Sequence, residues 1–378
     1  MTEKNMSKLE KLIQQYCPDG VEYVRLGDIL SVNRGKRLTK TQLSDDGKYY
    51  VYHGSKDTPL GKYSQFNVKG NTTIVVNTGG IGGVKYCDED FWCSDGSFWI
   101  GHSALLNDKY VYYYLSPKES YFASQKRVGG VPTIDKSTIE NIEIPVPPLP
   151  VQEEIVRVLD AFTELQAELQ AELQKRKQQY DFYRDNLLNF KDINRGGYQA
   201  EVRWMKLKDL ARVCRGTRVV KSQLSNEGYP VYQNCLTPMG YYDKTNCKGG
   251  TPFVICGGAA GSVGYSIIDC WAADDCEYVV SGPDVCNKYL YYCLMAKKDY
   301  LSSQVRKASI PRLSPNVIKE LVVPVPSLAG QQRIVAILDR FDALTNDLTS
   351  GLPAEMEKRR QQYEFYRDKL LTFKRKEA

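Results

Sequence analysis

The sequence predicts an α/β chain of two similar domains, each a mixed β-sheet with helices, separated by long antiparallel coiled-coil helices in a pseudo-two-fold internal repeat. Three observations predict it. A 17-residue segment returns almost unchanged near the chain end. Matched residues run upstream of both copies at a near-constant offset. Each copy also ends a stripe of apolar residues spaced by threes and fours, the seam of a packed helix.

The segment Lys175 to Lys191 returns as Lys358 to Lys374 with thirteen of 17 positions identical. Upstream, Pro145-Val146-Pro147, Leu149, Gln152, Ile155, Leu159, Asp160 and Phe162 match Pro324-Val325-Pro326, Leu328, Gln331, Ile334, Leu338, Asp339 and Phe341 at an offset of 179. Trp92 and Asp95 match Trp271 and Asp274 at the same offset. Arg34-Gly35 and Arg37 match Arg215-Gly216 and Arg218. A period this long marks a duplicated domain rather than a solenoid. The order is a short helical segment (1–20), a globule (21–147), a spacer helix (148–197), a second globule (198–326) and a last spacer helix (327–378).

Within the globules, Tyr49–Tyr52, Thr73–Val76 and Ser97–Ile100 have strand character and are parted by Gly and Asn/Asp turns. Tyr110–Leu115 and Tyr289–Leu294 fit a short helix or a strand. Asp135 and Ser314 have the sequence setting of helix N-caps, and Pro315 follows Ser314 at a first helical position. The proline runs at 145–150 and 324–326 are expected to end the globules, because proline cannot continue a central strand.

The first spacer helix starts near Val151. Its seam is Ile155, Leu159, Phe162, Leu165, Leu169, Leu173, Tyr180, Tyr183 and Leu187, with no Gly or Pro from 151 to 190. Such a helix spans roughly 60 Å. The second carries Ile334, Leu338, Phe341, Leu344, Leu348, Leu352, Met356, Tyr363, Tyr366 and Leu370, with a break expected at Gly351-Leu352-Pro353. Matched seams in one chain are expected to bury against each other; the alternative is a homodimeric coiled coil.

Composition narrows the class. Hydrophobic residues are 42% and charged residues 25%, a globular balance that excludes a disordered tail protein. No apolar run reaches the ~18 residues of a membrane span. Met1–Gln15 is charged and lacks the apolar core of a signal peptide. Eleven cysteines without a tight spacing pattern fit a reducing cytoplasm. A net charge of +6 is compatible with nucleic acid.

Catalytic signatures are missing. No Gly-rich loop ends in Gly-Lys-Ser/Thr. Gly79–Gly83 and Gly257–Gly261 follow strands, but a strand rather than a helix comes next, which favours a tight hairpin over a phosphate cradle. His53 and His102 have no histidine counterpart in the other half, and no Cys-x-x-Cys supports zinc. What remains is binding chemistry. Arg34, Lys36 and Arg37 form a basic turn matched by Arg215 and Arg218, with Lys221 beyond. Lys126 and Arg127 form a second cluster matched by Arg306, Lys307 and Arg312. Together with Asn77, these are the candidate DNA contacts, since Arg and Lys neutralise phosphates and Arg pairs with guanine edges. The basic run Lys175-Arg176-Lys177 fits a partner or the DNA backbone equally.

Two divergent globules, each closed by a Pro-x-Pro-x-Leu…Gln…Ile-Val segment and a repeated helix, resemble the specificity subunit of Type I restriction–modification enzymes. Cys17-Pro18-Asp19-Gly20-Val21-Glu22-Tyr23 and the Tyr363–Leu371 tail resemble that family as well. The resemblance covers the whole chain. It implies that each globule is a target-recognition domain and that the helices form an antiparallel spacer docking two DNA adenine methyltransferase subunits, joined in some complexes by restriction and translocase subunits. It also implies that the chain is not an enzyme and binds no cofactor, with S-adenosylmethionine and ATP with Mg²⁺ bound by those partners. Leu159, Phe162, Leu169, Tyr180, Tyr183, Leu187, Leu338, Phe341, Tyr363, Tyr366 and Leu370 are then the partner or spacer positions. The expected target is a bipartite, non-palindromic double-stranded DNA site. The repeated Leu-Gln-Ala-Glu units at 165–172 suggest a ruler for its gap. Two other readings stay open: a stand-alone DNA-binding or scaffold protein, and an enzyme with a divergent site in the Gly-rich loops.

Overall fold

A computed structural model describes residues 7–127, 130–190, 202–346 and 351–377. The chain divides into two units, Met1–Glu168 with Glu357–Ala378, and Leu169–Met356. Each unit therefore holds one globule and helix from both spacer segments.

In the first unit, helix α1 (Lys8–Tyr16) starts with a capping box between Ser7 and Glu10. Strand β1 (Tyr23–Arg25) leads into the one-turn α2 (Leu26–Ile29). A four-stranded antiparallel sheet follows, with β2 (Val32–Arg34), β5 (Thr72–Val76), β6 (Val84–Cys87) and β8 (Ser97–Ile100) in the order β2-β8-β5-β6. A second sheet joins β3 (Tyr49–Tyr52), β4 (Gly61–Tyr63) and β7 (Trp92–Cys93) in the order β4-β3-β7, with β3 and β7 parallel. Every residue of β5, a run of β-branched side chains, is buried. Tyr110–Leu115, open between helix and strand in the sequence, lies in helix α3 (Asp108–Leu115), whose first amides are capped by Asn107. Helices α4 (Glu119–Ser124) and α5 (Lys136–Glu140) follow, and β9 (Glu143–Pro145) returns antiparallel to β1. Tyr110, Phe122, Ile139, Ile144 and Ile155 are fully buried in one core.

That core runs directly into α6 (Leu149–Asn189), a single helix of 41 residues. At 1.5 Å per residue it is about 60 Å long.

The second unit repeats the plan. Strand β10 (Arg203–Lys206), the one-turn α7 (Leu207–Leu210), β11 (Ala211–Arg215), β12 (Tyr229–Tyr232), β13 (Tyr241–Tyr242), β14 (Thr251–Ile255), β15 (Val263–Ser266), β16 (Trp271–Ala272) and β17 (Cys276–Ser281) come first. Helices α8 (Asn287–Ala296), α9 (Lys298–Ser303) and α10 (Pro315–Lys319) precede β18 (Val322–Val325). The sheet orders are β11-β17-β14-β15 and β13-β12-β16, with β12 and β16 parallel and β10 paired to β18. Each strand has its counterpart in the first globule. Helix α11 (Leu328–Asn346) follows, and α12 (Leu352–Leu370) begins with Pro353 in its first turn, where the sequence predicted a restart.

Two expectations need correction. Pro145 and Pro324 do not lie beyond the strands; they are residues of β9 and β18. Both strands belong to two-stranded ribbons, where each strand has a free edge and a missing N–H is tolerated. Asp135 and Ser314 occupy N-cap positions, but neither side chain bonds to its helix. Asp135 is instead drawn into an ion pair with Arg127.

The seam residues meet one another within each unit. In the first, Phe162 stacks on Tyr366 at 5.7 Å and lies 6.4 Å from Tyr363. In the second, Tyr183 stacks on Phe341 at 5.3 Å. Ile155, Leu159, Leu173, Tyr180, Ile334 and Leu338 are buried. Leu344 is exposed, and Leu348 falls outside the described residues. Leu188, absent from the expected stripe, is also buried.

Candidate nucleic-acid interface

The basic turns sit at the ends of β2 and β11. Gly35 and Gly216 allow this: a Cβ at Gly35 would lie 2.1 Å from the Ser94 carbonyl oxygen, and one at Gly216 would lie 2.0 Å from that of Ala273. With the backbones this close, the Arg34 Nε donates to the Asp95 carbonyl and the Arg215 Nε to the Asp274 carbonyl, each at 3.3 Å. The carbonyls of Lys36 and Thr217 accept from the indoles of Trp92 and Trp271, both at 2.7 Å. The same frame is thus built twice from matched residues. Lys36, Arg37, Arg218 and Lys221 stand exposed around it.

The second basic cluster is tied to the residues that follow β5 and β14. In the first globule the Ile134 amide donates to the Asn77 carbonyl at 3.1 Å, and Arg127 pairs with Thr133 and Asp135. In the second, the Leu313 amide donates to the Cys256 carbonyl at 2.9 Å. There Arg306 and Arg312 exchange backbone hydrogen bonds, and the Arg312 guanidinium donates to Asp275 at 2.8 Å. Lys126 and Lys307 are exposed.

In the second globule these pieces line one cavity of about 320 Å³, bounded by Arg215, Cys256, Asp274, Glu277, Gln304, Arg306, Arg312 and Leu313. The structure therefore brings Arg215, Arg306 and Arg312 together, although nearly a hundred residues separate the first from the others in sequence. Asn77 differs from the other candidates. It is 2% exposed, its amide donates to the Asp95 carbonyl at 3.3 Å, and its Oδ1 is buried without a partner.

Sequence reasoning missed Asp274 and Glu277. Asp274 has a buried carboxylate oxygen without a partner. Glu277 is 4% exposed and faces Arg215 across the β11–β17 ladder. Burial pushes its carboxyl above the usual range, against the pull of Arg215 and Lys319. A signal was available, because Phe98 occupies this position in the first globule at the offset of 179.

The two histidines each sit among polar neighbours. His53 Nδ1 accepts from the Gly96 amide at 3.1 Å and also faces Ser94 and Asp95 at 3.3 Å. All three meet one ring nitrogen, so no proton relay runs through the ring. His102 meets Thr72 through Nε2 at 3.4 Å and Asp108 through Nδ1 at 2.9 Å, but the Thr72 hydroxyl is buried and donates to the Lys69 carbonyl at 2.9 Å, so it is not presented as a nucleophile. The Gly-rich segments are hairpin turns: the Gly82 amide donates to Val76 and the Gly261 amide to Ile255, both at 2.9 Å and both with φ of +88°. Among the described residues no cluster of three His, Cys, Asp or Glu could hold a metal ion. All eleven cysteines are free. Among the described residues no helix is long and apolar enough to cross a membrane.

The repeated helical segment builds one surface twice. Phe182 and Phe365 are each 63% exposed. Each meets the next tyrosine edge-on, at 5.7 and 5.4 Å. Arg184 lies over Tyr180 and Arg367 over Tyr363, both at 5.6 Å. Arg176 of the basic run is held by Glu172 at 2.7 Å.

The comparisons with known proteins agree with this duplicated architecture. A family model described as a Type I restriction modification DNA specificity domain matches residues 18–176 and again 200–358. The specificity subunit of a type I restriction enzyme of Escherichia coli is 30% identical over 99% of this chain and 98% of its own length. A putative type I restriction enzyme specificity subunit of Haemophilus influenzae is 28% identical over 98% of this chain and all of its own. Among solved structures, the S subunit of a type I restriction–modification system of M. genitalium shares the fold with a TM-score of 0.66 at 19% identity. That match covers 93% of this chain and 96% of the other.

Proposed function

The chain belongs to the Type I restriction–modification DNA specificity family, and from that premise we propose that it reads a bipartite, non-palindromic site in double-stranded DNA and docks the methyltransferase subunits that act there. The observation that carries the reading is the arginine frame built twice, once in each globule, around different interiors. Arg34 and Arg215 make the same bond to the backbone. Around them, Asn77 and Phe98 in the first globule are replaced by Cys256 and Glu277 in the second. A shared frame suits the phosphate backbone, which is the same everywhere on DNA, and divergent interiors suit different base sequences.

Arg34, Lys36, Arg37, Lys126 and Arg127 serve one half-site in this reading, and Arg215, Arg218, Lys221, Arg306, Lys307 and Arg312 the other. Asn77 acts from inside the first frame. The recognition domains span 21–147 and 198–326, with the spacer helices at 148–197 and 327–378.

Two DNA adenine methyltransferase subunits are the partners that fit. An exposed face repeated within one chain, down to the exposure of Phe182 and Phe365, suits two copies of the same protein. Restriction and translocase subunits join where the system cleaves. S-adenosylmethionine and ATP with Mg²⁺ belong to these partners. Free cysteines accord with work in the cytoplasm.

The test is co-expression with the methyltransferase, purification of the complex, and methylome sequencing of the host. A chimera replacing residues 21–145 changes one half of the methylated motif and leaves the other. Failure of the methyltransferase to co-purify, or a change in both halves, overturns the reading.

A further inference from the structure

The second globule holds a cavity whose chemistry exceeds what phosphate binding needs. Its volume of about 320 Å³ falls in the roughly 300–1,000 Å³ range of ligand pockets. Glu277 lines it and is 4% exposed, yet among the described residues its carboxylate makes no hydrogen bond or close ion pair. Asp274 adds a second unpartnered carboxylate oxygen. The nearest cation in the ladder, Arg215, spends its Nε on the Asp274 carbonyl. A buried carboxylate without a hydrogen-bond donor is costly, and a donor that enters recovers part of that cost.

We propose that this cavity receives the edge of a C·G base pair, with Glu277 accepting from the 4-amino group of cytosine and an arginine of the same cavity meeting the paired guanine. The inference rests on the DNA-reading function proposed above and names a specificity-determining residue within it. The occupant must offer donors to carboxylates and acceptors to arginines side by side. In the major groove cytosine presents a donor, and its guanine partner presents two acceptors that an arginine takes together. Arg306 and Arg312 line the same cavity and are exposed, so they reach that partner without leaving the surface. The first globule places Phe98 opposite Arg34 where the second places Glu277 opposite Arg215. At this one position a matched frame has therefore exchanged an apolar side chain for an acceptor, which is how one scaffold comes to read different bases.

The test uses the full chain assembled with its methyltransferase and duplexes carrying the methylated motif. Cytosines in the half-site read by residues 198–326 are replaced one at a time by an analogue lacking the 4-amino group. For the wild type, one replacement weakens binding by about tenfold or more. Glu277→Leu, an apolar side chain of similar reach, abolishes the sensitivity at that position and keeps the other half-site. The analogue scan on the wild type needs no variant, so a misfolded variant does not shield the idea. If no cytosine in the half-site is sensitive, if an adenine is sensitive instead, or if the variant stays as sensitive as the wild type, the cavity does not read cytosine. If the wild-type complex selects no DNA site at all, the underlying function fails instead.

Discussion

Gln152 and Gln331, 179 positions apart, make the same three hydrogen bonds in their two globules. The Gln152 Oε1 accepts from the Asn107 amide at 2.8 Å, and its Nε2 donates to the carbonyls of Leu105 and Pro147 at 2.8 and 2.7 Å. The Gln331 Oε1 accepts from the Cys286 amide at 3.0 Å, and its Nε2 donates to Asp284 and Pro326 at 2.8 and 3.0 Å. Both side chains are fully buried. Each ties the first turn of a spacer helix to the loop that starts the globule's main helix.

This pin is expected to matter for stability. Gln152→Leu leaves one amide and two carbonyls without their partner, and each such group costs about 1–3 kcal/mol when buried. Chemical denaturation of Q152L and Q331L should show losses of that order, whereas the exposed Gln178→Ala should stay within about 0.5 kcal/mol. Equal losses in all three would mean the bonds carry no special weight.

The exposed arginines are expected to act on phosphates. Arg37→Ala and Arg218→Ala remove matched cations from the two frames. Each should lower the slope of log affinity against log salt by about 0.9 and weaken all DNA sequences alike. Filter-binding or anisotropy titrations over a salt series measure this. An unchanged slope removes these residues from the interface.

The central helix is expected to set the gap between half-sites. One Leu-Gln-Ala-Glu unit adds a turn of about 6 Å, against a rise of ~3.4 Å per base pair. Deleting or adding one unit within 165–172 should change the unread gap by one or two base pairs and leave both half-sites as they were. Methylome sequencing of such a variant that keeps the original gap would dismiss the ruler.

Acid should loosen the N-terminal helix through Glu154. Its carboxylate is 2.6 Å from both Lys8 and Arg157. Arg157, and after it Lys8, hold it down at about 2 against the effect of burial, from an ordinary 4.5. A carboxyl lowered in the folded state contributes stability that is complete above 4.5 and is lost as pH falls towards 2. Glu154→Gln should flatten the stability profile across that window and raise exchange of the α1 amides. Parallel profiles for the two proteins would show the clamp to be inert.

The sequence by itself determined the duplication, the helical seams and the basic clusters. These depend on spacing along the chain, and an apolar stripe or a repeated segment is visible wherever the chain goes. It also located Arg34 and Arg215 as equivalent residues. Only the tertiary structure decided what those arginines stand beside. Cys256, Asp274, Glu277 and Arg312 reach Arg215 through strand pairing between distant segments, and pairing partners are not encoded in local pattern. The prolines at 145 and 324 show the same limit. Their tolerance inside a strand depends on whether that strand has a free edge, which is a property of the sheet and not of the residue. Glu277 shows it most sharply, since a lone glutamate in a strand reads as a surface charge until the neighbouring strands bury it.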